Sequence, residues 1–209
     1  MTLGDVVRTL SLPGTSMEAL AFDGKYLWID DSIGAPITLS QVDPVSGAIL
    51  RTFNGPSNNC SGLTFDGKYL WSVDWATTLI SQINPVSGAV IRSFNSVGIQ
   101  PNCLAFDGKY LWYSLFGVAT IRQVDPASGA VLRSFAVPNI NCTGAVFDGK
   151  SLWVTNIATD LVYQIDPVSG AVTISFAHPS LNCTGVTFDG KYLWLCDPVT
   201  DRIYQISMN

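Results

Sequence analysis

Apolar and polar residues alternate along this chain in short bursts separated by turn residues. That rhythm predicts short strands, whereas an amphipathic helix would repeat its apolar face about every three to four residues. Near the C-terminus, Gly185-Val186-Thr187-Phe188 predicts one strand. Asp189-Gly190 after it predicts a hairpin turn, because glycine tolerates a positive φ. Tyr192-Leu193-Trp194-Leu195 predicts a second strand, apolar on both faces, and Asp197-Pro198-Val199-Thr200-Asp201 a loop. Ile203-Tyr204-Gln205-Ile206 predicts a third. In complete units a turn follows, as at Asp166-Pro167-Val168-Ser169-Gly170, and then a fourth strand such as Ala130-Val131-Leu132-Arg133-Ser134-Phe135. Four short antiparallel strands with both faces apolar describe a sheet sandwiched between two others.

The unit recurs. Phe22-Asp23-Gly24-Lys25-Tyr26-Leu27-Trp28 returns, nearly unchanged, at Phe65, Phe106, Phe147 and Phe188, in steps of 43, 41, 41 and 41 residues. A period near 40 residues marks an array whose units bury their apolar surface against each other. The expected fold is therefore all-β: a five-bladed β-propeller with four antiparallel strands per blade, forming a single domain over residues 1–209. The last unit lacks a fourth strand, while Asp5-Val6-Val7-Arg8-Thr9-Leu10 aligns with Ala48-Ile49-Leu50-Arg51-Thr52-Phe53. Residues 5–11 are thus expected to complete the final blade, with Val6 and Val7 beside Ile203 and Tyr204, in a three-plus-one closure that removes the open sheet edges. Closure by dimerisation of an open fragment is the alternative; the complementary ends favour a monomer.

Composition narrows the classes further. With 47% hydrophobic and 13% charged residues the chain is ordered and able to fill a large core. No apolar run reaches the roughly 18 residues of a membrane span, and Met1-Thr2-Leu3-Gly4-Asp5 does not begin a signal peptide. A net charge of −5 without a basic cluster argues against nucleic acid. Nothing in the sequence names a compartment. The five cysteines follow the repeat, with no C-x-x-C pair for zinc or redox chemistry, and read as small apolar fillers. No cofactor is expected.

The order Gly-x-x-Phe-Asp-Gly-Lys-Tyr-Leu-Trp, then Tyr-Gln-Ile-Asp-Pro-x-Ser-Gly, then Val-x-Arg-Ser-Phe resembles the NHL/YVTN-type propeller repeats of bacterial proteins. The resemblance covers nearly the whole chain. It implies a fold and leaves activity open, since that group holds adhesion, scaffold and surface proteins as well as enzymes. The motifs of five-bladed glutaminyl cyclases and arabinan-cleaving hydrolases are not recognised in the sequence. Near-identical copies fit a recent duplication or a designed, symmetrised chain.

The turns around Asp-Gly-Lys and Asp-Pro-x-Ser-Gly share one face of such a ring and barely vary; the loops of the opposite, upper face do vary, and loops on a rigid scaffold carry binding. Four residues after the repeat Trp stand Ser32, Trp75, Phe116, Ile157 and Pro198. Trp75 and Phe116 form an aromatic pair fit to stack a sugar or anchor a protein, or else to pack as a local lid. Three after the Trp stand Asp31, Asp74, Leu115, Asn156 and Asp197, an oxygen-rich ring that suits either Ca²⁺ or the loop backbone; without D-x-D-x-D-G spacing, no metal is expected. Asn59, Asn141 and Asn182, with Ser16 and Gln100 at matching places, lead into the innermost strands and are expected at the channel mouth, around water or a small ligand. Blade one carries two extra residues within Asp30–Pro36, a candidate functional or tolerant loop.

The sequence has one His, one Glu and no nucleophile elbow. His178 is expected to be solvated. A glycosidase needs two carboxylates about 5–10 Å apart, and Glu18 with Asp31 or Asp74 is the only set in view. The sequence therefore predicts a non-catalytic scaffold binding a carbohydrate or protein partner through the upper loops. A hydrolase using acidic upper residues, and a symmetric propeller without a ligand, are the alternatives.

Overall fold

The computed structural model describes residues 1–12, 15–32, 36–137 and 141–209. Among them every regular element is a strand. β1 (Val6–Ser11) opens the chain. Blade one is β2 (Leu20–Phe22), β3 (Leu27–Asp31), β4 (Thr38–Val42) and β5 (Ile49–Asn54). Blade two is β6 (Cys60–Phe65), β7 (Leu70–Asp74), β8 (Leu79–Ile83) and β9 (Val90–Asn95). Blade three is β10 (Pro101–Phe106), β11 (Leu111–Leu115), β12 (Val118–Val124) and β13 (Val131–Ala136). Blade four is β14 (Cys142–Phe147), β15 (Leu152–Asn156), β16 (Leu161–Ile165) and β17 (Val172–Ala177). β18 (Val186–Phe188), β19 (Leu193–Asp197) and β20 (Arg202–Ile206) make three quarters of blade five.

Each blade is a four-stranded antiparallel sheet, and β1 completes the fifth by pairing with β20. The expected closure is present, in a register different from the expected one. Val6 faces Ile206, while Thr9 and Leu10 are the partners of Tyr204 and Ile203. The first strands of neighbouring blades contact each other around the ring, so they line its axis.

The repeated phrase has a mechanical reason. Asp23 Oδ1 accepts the Lys25 and Tyr26 N–H groups at 2.9 and 2.7 Å, which makes the turn, while Oδ2 accepts the Trp28 indole N–H at 2.8 Å. Asp66, Asp107, Asp148 and Asp189 hold Trp71, Trp112, Trp153 and Trp194 in the same way at 2.6 to 2.7 Å. One carboxylate thus shapes the turn and satisfies a buried donor that would otherwise cost about 1–3 kcal/mol. The five indoles are buried between blades, and four of them tilt against a fourth-strand Phe at 5.6 to 6.1 Å.

Blades are joined along the lower face. Gly88 has φ 72°, and a Cβ there would lie 2.7 Å from the Phe53 ring of the preceding blade. Gly4 meets Phe176 of blade four in the same manner at 2.9 Å, so the N-terminal segment supplies blade five with its turn glycine as well as its outer strand. Arg51 Nη1 donates to the Pro85 carbonyl of the next blade at 3.2 Å, and Arg8 to Pro44 at 2.9 Å. Arg92 and Arg133 reach Pro126 and Pro167 alike. The lower turns hardly vary because they are the clasps of the ring.

All five cysteines are buried free thiols. Burial pushes Cys103 up to about 11 and raises the others as well, so they are unreactive at neutral pH.

Candidate functional site

Four residues before the repeat Phe, each blade contributes one side chain to the upper end of the axis: Glu18, Ser61, Asn102, Thr143 and Thr184. They form the floor of a cavity of about 490 Å³. Trp75, Phe116 and Ile157, at matching places in blades two to four, make an apolar rim, and Gln100 completes the wall. Below the floor the axis narrows until there is no room for a water molecule. The reason is close approach of the inner strands: a Cβ on Gly144 would lie 2.4 Å from the Thr184 carbonyl oxygen, and one on Gly62 2.6 Å from Cys103. The cavity is a blind pocket of the size that holds a small molecule or a chain terminus.

Most of the floor is tied into the ring. Ser61 Oγ donates to the Pro101 carbonyl at 3.0 Å and Thr143 Oγ1 to the Thr184 carbonyl at 3.2 Å, each across a blade boundary. Asn102 Oδ1 accepts the Cys103 N–H at 3.1 Å, which leaves the NH₂ end of the amide for a ligand. Gln100 and Cys103, on either side of Asn102, have φ 52° and 38°, a region that residues with a Cβ seldom occupy. Glycine stands at the place of Cys103 in blades two, four and five. Blade three therefore carries backbone strain where it meets the cavity.

Glu18 is the ionisable group of the lining. Its surface is open to the cavity, yet protein crowds it from the sides, and this desolvation raises its carboxyl above the usual range. Beneath it lies Asp30, fully buried. Asp30 Oδ1 accepts the Glu18 N–H at 2.9 Å and the Ala19 N–H at 2.6 Å, and Oδ2 has no partner among the described residues. Burial above all, and then the Glu18 charge, pushes Asp30 up to about 8. The matching positions in the other blades are Val73, Ser114, Thr155 and Cys196. Blade one alone places a carboxyl beneath a carboxyl.

The structure divides the residues expected from sequence. Trp75 and Phe116 do meet at one site; at 43% and 49% exposure they border the opening and do not seal it. Asp74, Asn156 and Asp197 are buried and turn into their own loops. Asp74 Oδ1 accepts from Ala76 and Thr77 at 2.8 and 2.6 Å, Asn156 Oδ1 from Ala158 at 2.9 Å, and Asp197 Oδ1 from Val199 and Thr200 at 2.8 and 3.1 Å. Asp31 Oδ1 accepts the Ser16 N–H at 3.2 Å. Asn59, Asn141 and Asn182 are half-buried and do not line the cavity. The polar ring stands two residues further along the chain in each blade. His178 is half-buried, and both ring nitrogens are without a partner among the described residues; burial lowers its pKa, so it is not the solvated side chain expected. Of the blade-one insertion, Ile33, Gly34 and Ala35 lie outside the described residues.

No protein-family model matches the chain, and no curated protein matches it in sequence. The resemblance to NHL/YVTN-type repeats thus rests on the repeated phrases alone. Among solved structures the chain is similar to a glutaminyl cyclase from Myxococcus xanthus, with a TM-score of 0.83 and 15% identity over 97% of this chain and 95% of that one. It is also similar to hydrazine synthase from Kuenenia stuttgartiensis, with a TM-score of 0.58 and 20% identity over 89% of this chain and 56% of that one. The expectation of a chain without catalysis is corrected here. A solved propeller similar to it over nearly the whole length is an enzyme, and the carboxylate that meets Glu18, through the Glu18 backbone N–H, is Asp30 rather than Asp31 or Asp74.

Proposed function

We propose that the upper cavity is a catalytic pocket for the amino end of a glutaminyl peptide, in which Glu18 moves protons while the terminal amine attacks the side-chain carboxamide. The observation that carries this reading is Glu18 itself: a partly desolvated carboxylate at the floor of a blind pocket, with no Lys, Arg or His in the lining to neutralise it. A ligand bearing an amine supplies the missing partner. The apolar rim of Trp75, Phe116 and Ile157 takes the side chain that follows, which favours a peptide end over a sugar.

The step balances with the groups present. The amine nitrogen bonds to the carboxamide carbon, and Glu18 accepts the proton the amine loses. The Asn102 NH₂ end donates to the oxygen that gains charge. Glu18 then returns the proton to the departing nitrogen, the carbon–nitrogen bond of the carboxamide breaks, and ammonia leaves behind a five-membered lactam. A carboxyl whose pKa lies closer to neutrality than usual is suited to both transfers. The similarity in fold to a glutaminyl cyclase supports the choice of reaction.

The test is ammonia release from a peptide beginning with glutamine. The wild-type chain is expected to turn it over, and Glu18→Gln to lose at least about 100-fold, the usual contribution of a positioned acid–base group. Melting temperature should change little, because Glu18 makes no side-chain hydrogen bond among the described residues. No release by wild type, or equal release by both, rejects the assignment.

A further inference from the structure

Two departures from the repeat fall in the same blade and touch. At the floor of the cavity four blades carry neutral Ser61, Asn102, Thr143 and Thr184, while blade one carries Glu18. Directly below, blade one places Asp30 where its counterparts are neutral. The inner strand there, β2, starts at Leu20 and has three residues, as does β18 of blade five, whereas β6, β10 and β14 each run for six. The N–H groups of Glu18 and Ala19 bond to Asp30 Oδ1. One carboxylate oxygen therefore fixes the backbone that carries Glu18. The other oxygen, fully buried and without a partner among the described residues, is a place where a proton is cheaper to keep than a charge.

We infer that Asp30 is a positioning residue for Glu18, holding its backbone through Oδ1 and keeping a proton on Oδ2 so that the two carboxyls carry one negative charge between them. The inference rests on Glu18 serving the pocket as proposed above. A charge on Glu18 disfavours a second one on Asp30, so one group works as the carboxylate while the other stays an acid. Among the described residues, the titratable groups facing Asp30 are Glu18 from the segment before β2, Cys60 of β6 and Cys196 of β19. The thiols remain protonated, and no cation acts on Asp30. At neutral pH Asp30 therefore keeps its proton. Ionisation of Asp30, at about 8, ends that state and marks the alkaline limit of the working pocket.

Glu18 is the only glutamate in the sequence, so labelling glutamate with carboxyl ¹³C gives one signal. In the wild type that signal is expected to titrate in two steps: its own, and a second near pH 8 when Asp30 loses its proton. Asp30→Asn preserves the acceptor for both N–H groups and removes the titration, so the second step disappears while the first stays in place. Asp30→Thr, which copies Thr155, serves if the Asn variant does not fold. A single step in the wild type, or an identical two-step curve in a folded variant, overturns the inference; a merely structural Asp30 gives no second step. None of these readings needs turnover. A coupled titration without ammonia release would reject the cyclisation chemistry alone, and with turnover the alkaline limb of kcat/KM should vanish in Asp30→Asn.

Discussion

On the lower face of the ring, Asp23 and its four counterparts each tie a turn to a buried indole, and five-fold repetition is kept because every blade must clasp the next. At the upper end of the axis the same five blades offer Glu18, Ser61, Asn102, Thr143 and Thr184. Repetition there has given way. Identical residues are what a closed ring needs, since one faulty clasp opens a sheet edge. Chemistry needs the opposite, because a ring of five carboxylates would repel itself into protonation. One acid among four neutral neighbours meets no like charge from the other floor positions.

That contrast is open to attack at several strengths. The largest effect belongs to the clasps. Trp112 is buried between blades with its N–H on Asp107, so Trp112→Ala should cost about 3–5 kcal/mol. Trp75 stands at the cavity rim, and Trp75→Ala should stay within roughly 1 kcal/mol while weakening peptide binding. Equal losses in thermal melts would erase the distinction between the two faces.

A smaller effect concerns the cost of the upper face to stability. Asp30 ionises at about 8 in the fold and at 3.8 as its reference value, so the folded state binds more protons between these limits. Stability due to this group is greatest below the lower limit and falls as pH rises toward the upper one, by at most about 1.4 kcal/mol per pH unit. His178, whose pKa burial lowers, has the opposite slope as pH approaches its ordinary value, so the comparison must be between wild type and Asp30→Asn, in which the His178 contribution cancels. The variant should gain on the wild type as pH rises from 5 to 8 in parallel denaturation series. Parallel curves would mean that Asp30 is not held as an acid.

The fold was legible because its information is repeated: five copies of one phrase, and end segments that complement each other as partial copies. The rim was legible for the same reason, since Trp75 and Phe116 are large exceptions at one matched position. The floor was not. Asn59, Asn141 and Asn182 drew attention as a polar ring, yet the side chains reaching the axis stand two residues later, and these asparagines precede the strands, where no strand alternation tells which side chain turns inward. Asp74 and Asp197 stood in an oxygen-rich ring, but each turns its Oδ1 to loop N–H groups, an arrangement that composition does not distinguish from an open acidic ring. Asp30 entered only as one more acidic residue of the upper face at the start of the blade-one insertion, because loop composition does not announce its burial. The carboxylate set in view from the sequence was Glu18 with Asp31 or Asp74; the carboxylate that holds the Glu18 backbone is Asp30, in the blade that departs from the pattern. In a symmetric array, the position where one copy alone turns acidic is the signal to follow.

The most direct test of a catalytic upper face is a crystal structure of the Glu18→Gln chain soaked with a short peptide beginning with glutamine. The terminal residue is expected over the ring of Ser61, Asn102, Thr143 and Thr184, with its amine at position 18 and the next side chain against Trp75 and Phe116. Peptide bound elsewhere, or a cavity left without it at saturating concentration, would contradict the account.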